Sequence, residues 1–97
     1  MSKHDFGALS TKYCGVINQM PKSFTSHKFI LRLAQQNQAL YIEALYSYQG
    51  SRTPFQILHG QLAKHLKGYP EIVRYTGGVR SKDIFGRPNI CGQWTKI

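Results

Sequence analysis

The sequence predicts an α+β fold in which a three-helix core is followed by a C-terminal antiparallel β-ribbon. Two observations carry this prediction: apolar residues recur at helical spacing up to Pro70, and after Pro70 they alternate as in half-buried strands. The chain has 97 residues, 41% of them hydrophobic, which is enough for one small core. We therefore expect a single domain over residues 1–97, with a flexible N-terminus at residues 1–9.

The first predicted helix covers residues 10–20. Ser10 or Thr11 has a side-chain oxygen suited to cap its start, and Pro21 ends it because proline cannot continue a helix. Between these limits lie four apolar residues at helical spacing, which predicts one buried face: Tyr13, Val16, Ile17 and Met20.

The strongest helical pattern runs over residues 26–48. Thr25 or Ser26 is placed as the N-cap, and Gly50 stands where a glycine commonly ends a helix. The apolar arc of this segment is broad, which is typical of a central helix or of a helix at a dimer contact. Asn37 leaves a second possibility open, namely a break into two shorter helices.

A third helix is predicted over residues 54–67. Thr53 is suited to the N-cap position, Pro54 to the first helical position, and Gly68 to the C-terminal end. Its outer face is rich in amides and lysines. Its inward face is predicted to be a narrow stripe: Phe55, Leu58, Leu62 and Leu66.

Residues 71–76 and 89–97 alternate β-branched and aromatic residues with polar ones, so we expect them to pair as an antiparallel ribbon. Between them lies GGVRSKDIFGRPN, residues 77–89, which contains three cations. This segment also contains two adjacent apolar residues, Ile84 and Phe85, which a loop that contacts only solvent does not need. We expect these two side chains to fold the ribbon tip back onto the core, with insertion between bases as the less common alternative.

The charge balance indicates a polyanionic partner. Thirteen Lys and Arg against four Asp and Glu give a net charge of +9, and such a field attracts nucleic acid. No segment approaches the ~18 consecutive apolar residues of a spanning helix, and MSKHDFGALS lacks the apolar region of a signal peptide. The expected location is therefore cytoplasmic, without membrane attachment.

Three helices followed by a ribbon with a long basic tip resemble the winged helix-turn-helix DNA-binding domains, here of a small bacterial type. The resemblance covers roughly residues 8–97. It implies that helix 54–67 enters the major groove of duplex DNA, and that residues 77–89 form a wing on the backbone or in the minor groove. It also implies a small third strand, for which residues 51–53 are the candidate.

The candidate nucleic-acid contacts are amides and cations. Glutamine amides can pair with adenine in the major groove, and Lys or Arg neutralises phosphates. Solvated helix-face residues are the alternative, because lysines also suit the C-terminal end of a helix. The sequence favours DNA over RNA as the partner, and the candidate residues are Gln56, Gln61, Lys64, Lys67, Arg80, Lys82 and Arg87.

Two other functions stay open at this stage. The apolar helix 26–48 could pair with itself as a homodimer or bind another protein. A small metal-free ribonuclease would need His59 or His65 near Arg52 or Arg74, because a histidine and an arginine suffice for general acid–base cleavage of RNA. The default for both histidines is a structural role.

No cofactor, metal or small-molecule substrate is indicated. Cys14 and Cys91 lie far apart without the paired spacing of a zinc site, and we predict that both are buried thiols. The four acids are scattered along the chain. His27 follows the predicted N-cap and is expected to hydrogen-bond within that capping region.

Overall fold

The computed structural model describes residues 7–97 as an α+β fold. Its described part contains four α-helices, a three-stranded antiparallel sheet of order β1-β3-β2, and short 3-10 turns before α1 and after α4. None of these helices has the length and apolar character required to cross a membrane. The elements are α1 (Tyr13–Gln19), β1 (Ser23–Thr25), α2 (Ser26–Gln36), α3 (Gln38–Tyr46), α4 (Pro54–His65), β2 (Val73–Lys82) and β3 (Pro88–Lys96).

The N-terminal part differs from the expected flexible segment 1–9. Residues 1–6 lie outside the described residues, whereas Leu9 belongs to a 3-10 turn and is fully buried. The burial of Leu9 therefore places the end of this segment in the core. Helix α1 then buries Tyr13, Val16 and Ile17, as the apolar spacing predicts.

The segment predicted as helix 26–48 is broken, which was the second of the two possibilities. Thr25 is the N-cap of α2, because its hydroxyl accepts the backbone N–H of Lys28 at 3.2 Å. Asn37 leaves the helical conformation (φ −136°, ψ 54°), and its side-chain amide donates to the carbonyl of Leu33 at 3.1 Å. An asparagine that bonds its own preceding turn competes with helix continuation, so α2 and α3 are separate helices.

The third strand lies elsewhere than predicted. Residues 51–53 form a bend in which the backbone N–H of Thr53 donates to the Ser51 hydroxyl at 3.1 Å. The strand is instead β1, where Phe24 is buried between two more exposed neighbours and stands opposite Trp94 of β3.

The β2–β3 ribbon is longer than predicted, because most of residues 77–89 belong to strands. Only residues 83–87 form the connecting tip. The two glycines do not end the first strand: the register shifts between Tyr75 and Gly77, and Gly77 takes a φ of 129°. That conformation is accessible to glycine, so the strand continues through a β-bulge.

Helix α4 packs on the core through its middle and end. Leu58, Leu62 and Leu66 are fully buried, as predicted, but Phe55 retains 39% of its surface exposed. The prediction that Phe55 belongs to the inward stripe is therefore wrong. The first turn of α4 extends past the edge of the core. The later turns are held against α1, because the Tyr13 hydroxyl donates a hydrogen bond to the Leu62 carbonyl at 2.6 Å.

A buried junction joins the sheet to the start of α2. The indole N–H of Trp94 donates to the Ser26 hydroxyl at 2.9 Å, and that hydroxyl donates to the Gly92 carbonyl at 3.3 Å. A Cβ atom at position 92 would lie 2.9 Å from a ring carbon of Tyr75, 3.1 Å from the Trp94 indole nitrogen and 3.3 Å from the Ser26 hydroxyl. Because Ser26 is the first residue of α2, glycine at 92 permits β3 to approach α2 this closely.

Replacing Gly92 with alanine tests this close approach. We expect Gly92→Ala to lower the free energy of unfolding by about 1–3 kcal/mol, since an added methyl in a filled site forces neighbours to move. Gly15→Ala is the matched control: a Cβ there meets nothing within 4 Å, and alanine within a helix should add about 0.5–1 kcal/mol. Urea denaturation measures both; equal effects of the two substitutions would contradict the account.

Candidate functional site

A groove of about 1010 Å³ lies between α4, the start of α2 and the β2–β3 ribbon. We call it the helix–ribbon groove. Its α4 wall includes Phe55, Gln56 and Gly60, and its ribbon wall includes Phe85, Arg87 and Ile90. A Cβ at Gly60 would meet nothing within 4 Å, so this glycine leaves open space on the wall and is not a packing contact.

The hairpin tip, residues 83–87, is organised by Asp83. One carboxylate oxygen of Asp83 accepts the backbone N–H groups of Phe85 at 2.9 Å and Arg87 at 3.0 Å. Gly86 completes the turn with a φ of 83°. These contacts, led by the Arg87 backbone N–H, lower the pKa of Asp83. The only acid of the basic segment therefore fixes its shape.

The two apolar residues of the tip behave differently. Ile84 is partly buried and packs against the core, as predicted. Phe85 is 56% exposed and is not among the residues packed on the core, so the prediction that it folds back onto the core is wrong. Its ring centroid lies 4.9 Å from that of Phe55 in an edge-to-face arrangement, and 6.1 Å from that of His59 in a stacked one.

His59 and His65 both have the hydrogen-bond partners expected of structural histidines. Nε2 of His59 lies 2.6 Å from the Tyr41 hydroxyl, and Nε2 of His65 lies 3.3 Å from the Tyr69 hydroxyl. Burial lowers the pKa of His59, an effect that Asp83 opposes, and burial also lowers the pKa of His65. Both rings therefore favour the uncharged form near neutral pH.

His27 does not take the capping role predicted for it. Thr25 caps α2, while Nδ1 of His27 is buried and has no hydrogen-bond partner among residues 7–97. An unpaired buried nitrogen costs about 1–3 kcal/mol. His27 lines the helix–ribbon groove, so this unpaired nitrogen lies at the candidate site.

The structure divides the seven predicted contact residues into three sets. Gln56 and Arg87 line the helix–ribbon groove. Arg80 and Lys82 line a second, smaller depression on the ribbon, which we call the ribbon depression. The remaining three residues of α4 and its end line neither of them: Gln61, Lys64 and Lys67.

Sequence reasoning did not place Arg52 among the candidate contact residues. Arg52 is exposed and lines the helix–ribbon groove just before α4 begins. The sequence signal that could have identified Arg52 is its position two residues before Pro54, where α4 begins. A residue just before a helix lies close to the surface that the first turn of that helix faces. For the ribonuclease hypothesis, Arg52 and His59 share the groove, but one ring nitrogen of His59 is already bonded to Tyr41.

The cysteines differ from the prediction of two buried thiols. Cys14 is exposed and Cys91 is half-buried, and both are free. Within residues 7–97, no three His, Cys, Asp or Glu side chains come together in a group that could hold a metal ion. Cys91 borders the helix–ribbon groove.

No protein-family model matches this chain, and neither the curated proteins nor the solved structures contain a significant match to it. The two depressions combine cations, amides and exposed aromatic rings on a chain whose net charge is +9.

Substitution of Asp83 tests how the hairpin tip is held. Asp83→Ala should speed hydrogen exchange of the Phe85 and Arg87 amides several-fold, because both lose their acceptor. Asp83→Asn keeps a side-chain oxygen and should preserve most of the protection.

The same contact has a pH dependence. A carboxylate whose pKa is lowered in the folded protein stabilises the tip above its ordinary pKa of 3.8 and loses this effect as pH falls through the lowered value. Protection in the wild type should therefore weaken only in strong acid. Equal exchange rates in Asp83→Ala and the wild type would contradict the assignment.

Proposed function

We propose that this protein is a nucleic-acid binding module of the winged-helix type, with duplex DNA as its main partner. Helix α4 faces the major groove, and the β2–β3 ribbon lies along the backbone or the minor groove. The observation that carries the proposal is the helix–ribbon groove, where Gln56 of α4 and Arg87 of the hairpin tip face one shared space on a strongly basic chain.

The order of elements supports this proposal. A ribbon follows the last helix directly, and a small third strand, β1, pairs with the ribbon strand β3. The resemblance implied the ribbon and a third strand, although it placed that strand at residues 51–53. The predicted helix 26–48 is divided at Asn37, so neither α2 nor α3 exceeds 11 residues.

The chemistry supports separate contributions to affinity and specificity. Arg80, Lys82 and Arg87 on the ribbon are exposed, and each phosphate they neutralise releases counterions and adds sequence-independent affinity. Gln56 is exposed on α4 and carries an amide that can pair with adenine in the major groove. Gln61 is half-buried outside both depressions, so Gln56 is the stronger candidate for base contact.

Removal of the ribbon cations tests the proposal. The affinity of the wild type for an unrelated duplex should fall steeply with salt. Combined Arg80→Ala, Lys82→Ala and Arg87→Ala substitutions should reduce the log–log salt slope by about 2 to 3, since each phosphate contact contributes roughly 0.9. Fluorescence anisotropy with a labelled duplex over a salt series measures this slope.

The matched control removes three exposed cations that line neither depression, through Lys12→Ala, Lys22→Ala and Arg32→Ala. Its net charge equals that of the ribbon variant, so general attraction is lowered equally in both. The control should retain most of the wild-type slope. Identical slopes in the two triple variants would remove the ribbon assignment, and no binding at low salt would remove the nucleic-acid proposal.

A second candidate function is self-association through α3. Ile42 and Tyr46 are 63% and 67% exposed and lie one helical turn apart, so their side chains are neighbours on one face. Two large apolar side chains left in water on one helix favour a contact with a second copy. This function is compatible with DNA binding, because neither residue lines a depression.

Sedimentation velocity over a concentration series tests self-association. The wild type should sediment faster as concentration rises, and Ile42→Ser combined with Tyr46→Ser should behave as a monomer throughout. Ile97→Ser is a suitable control, since Ile97 is equally apolar and 73% exposed but lies on the sheet side of the molecule. A wild type that stays monomeric at all concentrations would eliminate this function.

A further inference from the structure

Two exposed phenylalanines stand in the helix–ribbon groove. Phe55 and Phe85 keep 39% and 56% of their surfaces exposed, although their rings touch edge to face. One comes from the first turn of α4 and the other from the hairpin tip, so the contact joins the two walls. A purely structural contact between two phenylalanines would bury both rings. Phe55 and Phe85 instead leave part of their apolar surface exposed in the groove.

The Phe85 ring is held in a fixed position before any ligand arrives. The backbone N–H of Phe85 is bonded to Asp83, Ile84 anchors the tip on the core, and the ring stacks over His59 at an interplanar angle of 17°. His59 is itself fixed by the Tyr41 hydroxyl. A ring ordered in advance loses little conformational entropy when a flat ligand stacks on it.

Two cations line the same groove as this aromatic pair. Arg52 precedes the α4 wall, Arg87 follows Phe85 by two residues, and both line the groove. Aromatic rings combined with cations are the arrangement with which proteins hold unpaired nucleotides, because every base has a flat face and every nucleotide a phosphate. The groove, at about 1010 Å³, reaches the upper end of the volumes of small-ligand sites, roughly 300–1,000 Å³.

We propose that the helix–ribbon groove binds one unpaired nucleotide of a nucleic-acid strand, with its base stacked on the Phe85 ring, the Phe55 ring against the edge of that base, and its flanking phosphates held by Arg52 and Arg87. The proposal rests on the nucleic-acid function proposed above and names its preferred ligand. A duplex that carries an unpaired nucleotide is bound more tightly than a fully paired duplex, whose bases remain stacked on one another.

The test compares two labelled duplexes of equal length, one fully paired and one with a single unpaired thymidine at its centre, by fluorescence anisotropy. The wild type should prefer the second. Phe85→Ala should lower affinity for the unpaired-nucleotide duplex by about 5- to 140-fold, the loss expected for one aromatic–base stack. Affinity for the paired duplex should fall much less, because its bases remain stacked on one another.

Three further variants separate stacking from folding. Phe85→Tyr retains a flat ring and should retain the preference. Phe55→Ala leaves the tip in place and should weaken the preference. Tyr46→Ala removes an equally exposed aromatic ring far from the groove, 67% exposed on α3, and should leave the preference unchanged.

The outcomes distinguish the two proposals. Equal affinity of the wild type for both duplexes, or an equal loss on both in Phe85→Ala, would overturn the unpaired-nucleotide site while leaving duplex binding in place. Failure of the wild type to bind either duplex at low salt would overturn the nucleic-acid function itself. A preference abolished by Phe85→Ala and kept by Phe85→Tyr establishes the site.

Discussion

The hydrogen-bonded junction of Ser26, Gly92 and Trp94 sets the position of the whole ribbon. It joins the first residue of α2 to the middle of β3 through a buried hydroxyl and a buried indole. Because both strands of the ribbon are paired along their length, fixing β3 at this point also fixes β2 and the hairpin tip. The helix–ribbon groove exists because Gly92 lets the strand lie this close to α2 while the tip reaches α4.

The tip adds a second level of order. A basic hairpin of five connecting residues would ordinarily lose much conformational entropy on binding. Here the Asp83 carboxylate and Gly86 close the turn, and Ile84 anchors it. Asp83 is an acid in a segment rich in cations, and its carboxylate oxygen holds the backbone of the tip in place. The exposed side chains of Phe85 and Arg87 are thereby carried on a rigid support, as precise recognition requires.

The sequence predicted the elements governed by local rules and missed those governed by tertiary contacts. Thr25 as N-cap, the possible break at Asn37 and the leucine stripe of α4 follow from capping and periodicity. Strand β1 has three residues, too few for a periodic signal, and forms because Phe24 pairs with Trp94. The Gly77 bulge depends on cross-strand register, which spacing along one strand does not reveal.

The two depressions adjoin each other, which brings the proposed contacts close together. Pro88, Asn89 and Ile90 line both the helix–ribbon groove and the ribbon depression, so only these residues need to be crossed between the two. Ile90 remains 68% exposed at this shared edge. A strand that places one base on Phe85 can continue across Ile90 with its next phosphates beside the ribbon cations. Sequence-independent attraction and the choice of an unpaired base would then act on the same strand, each through different residues.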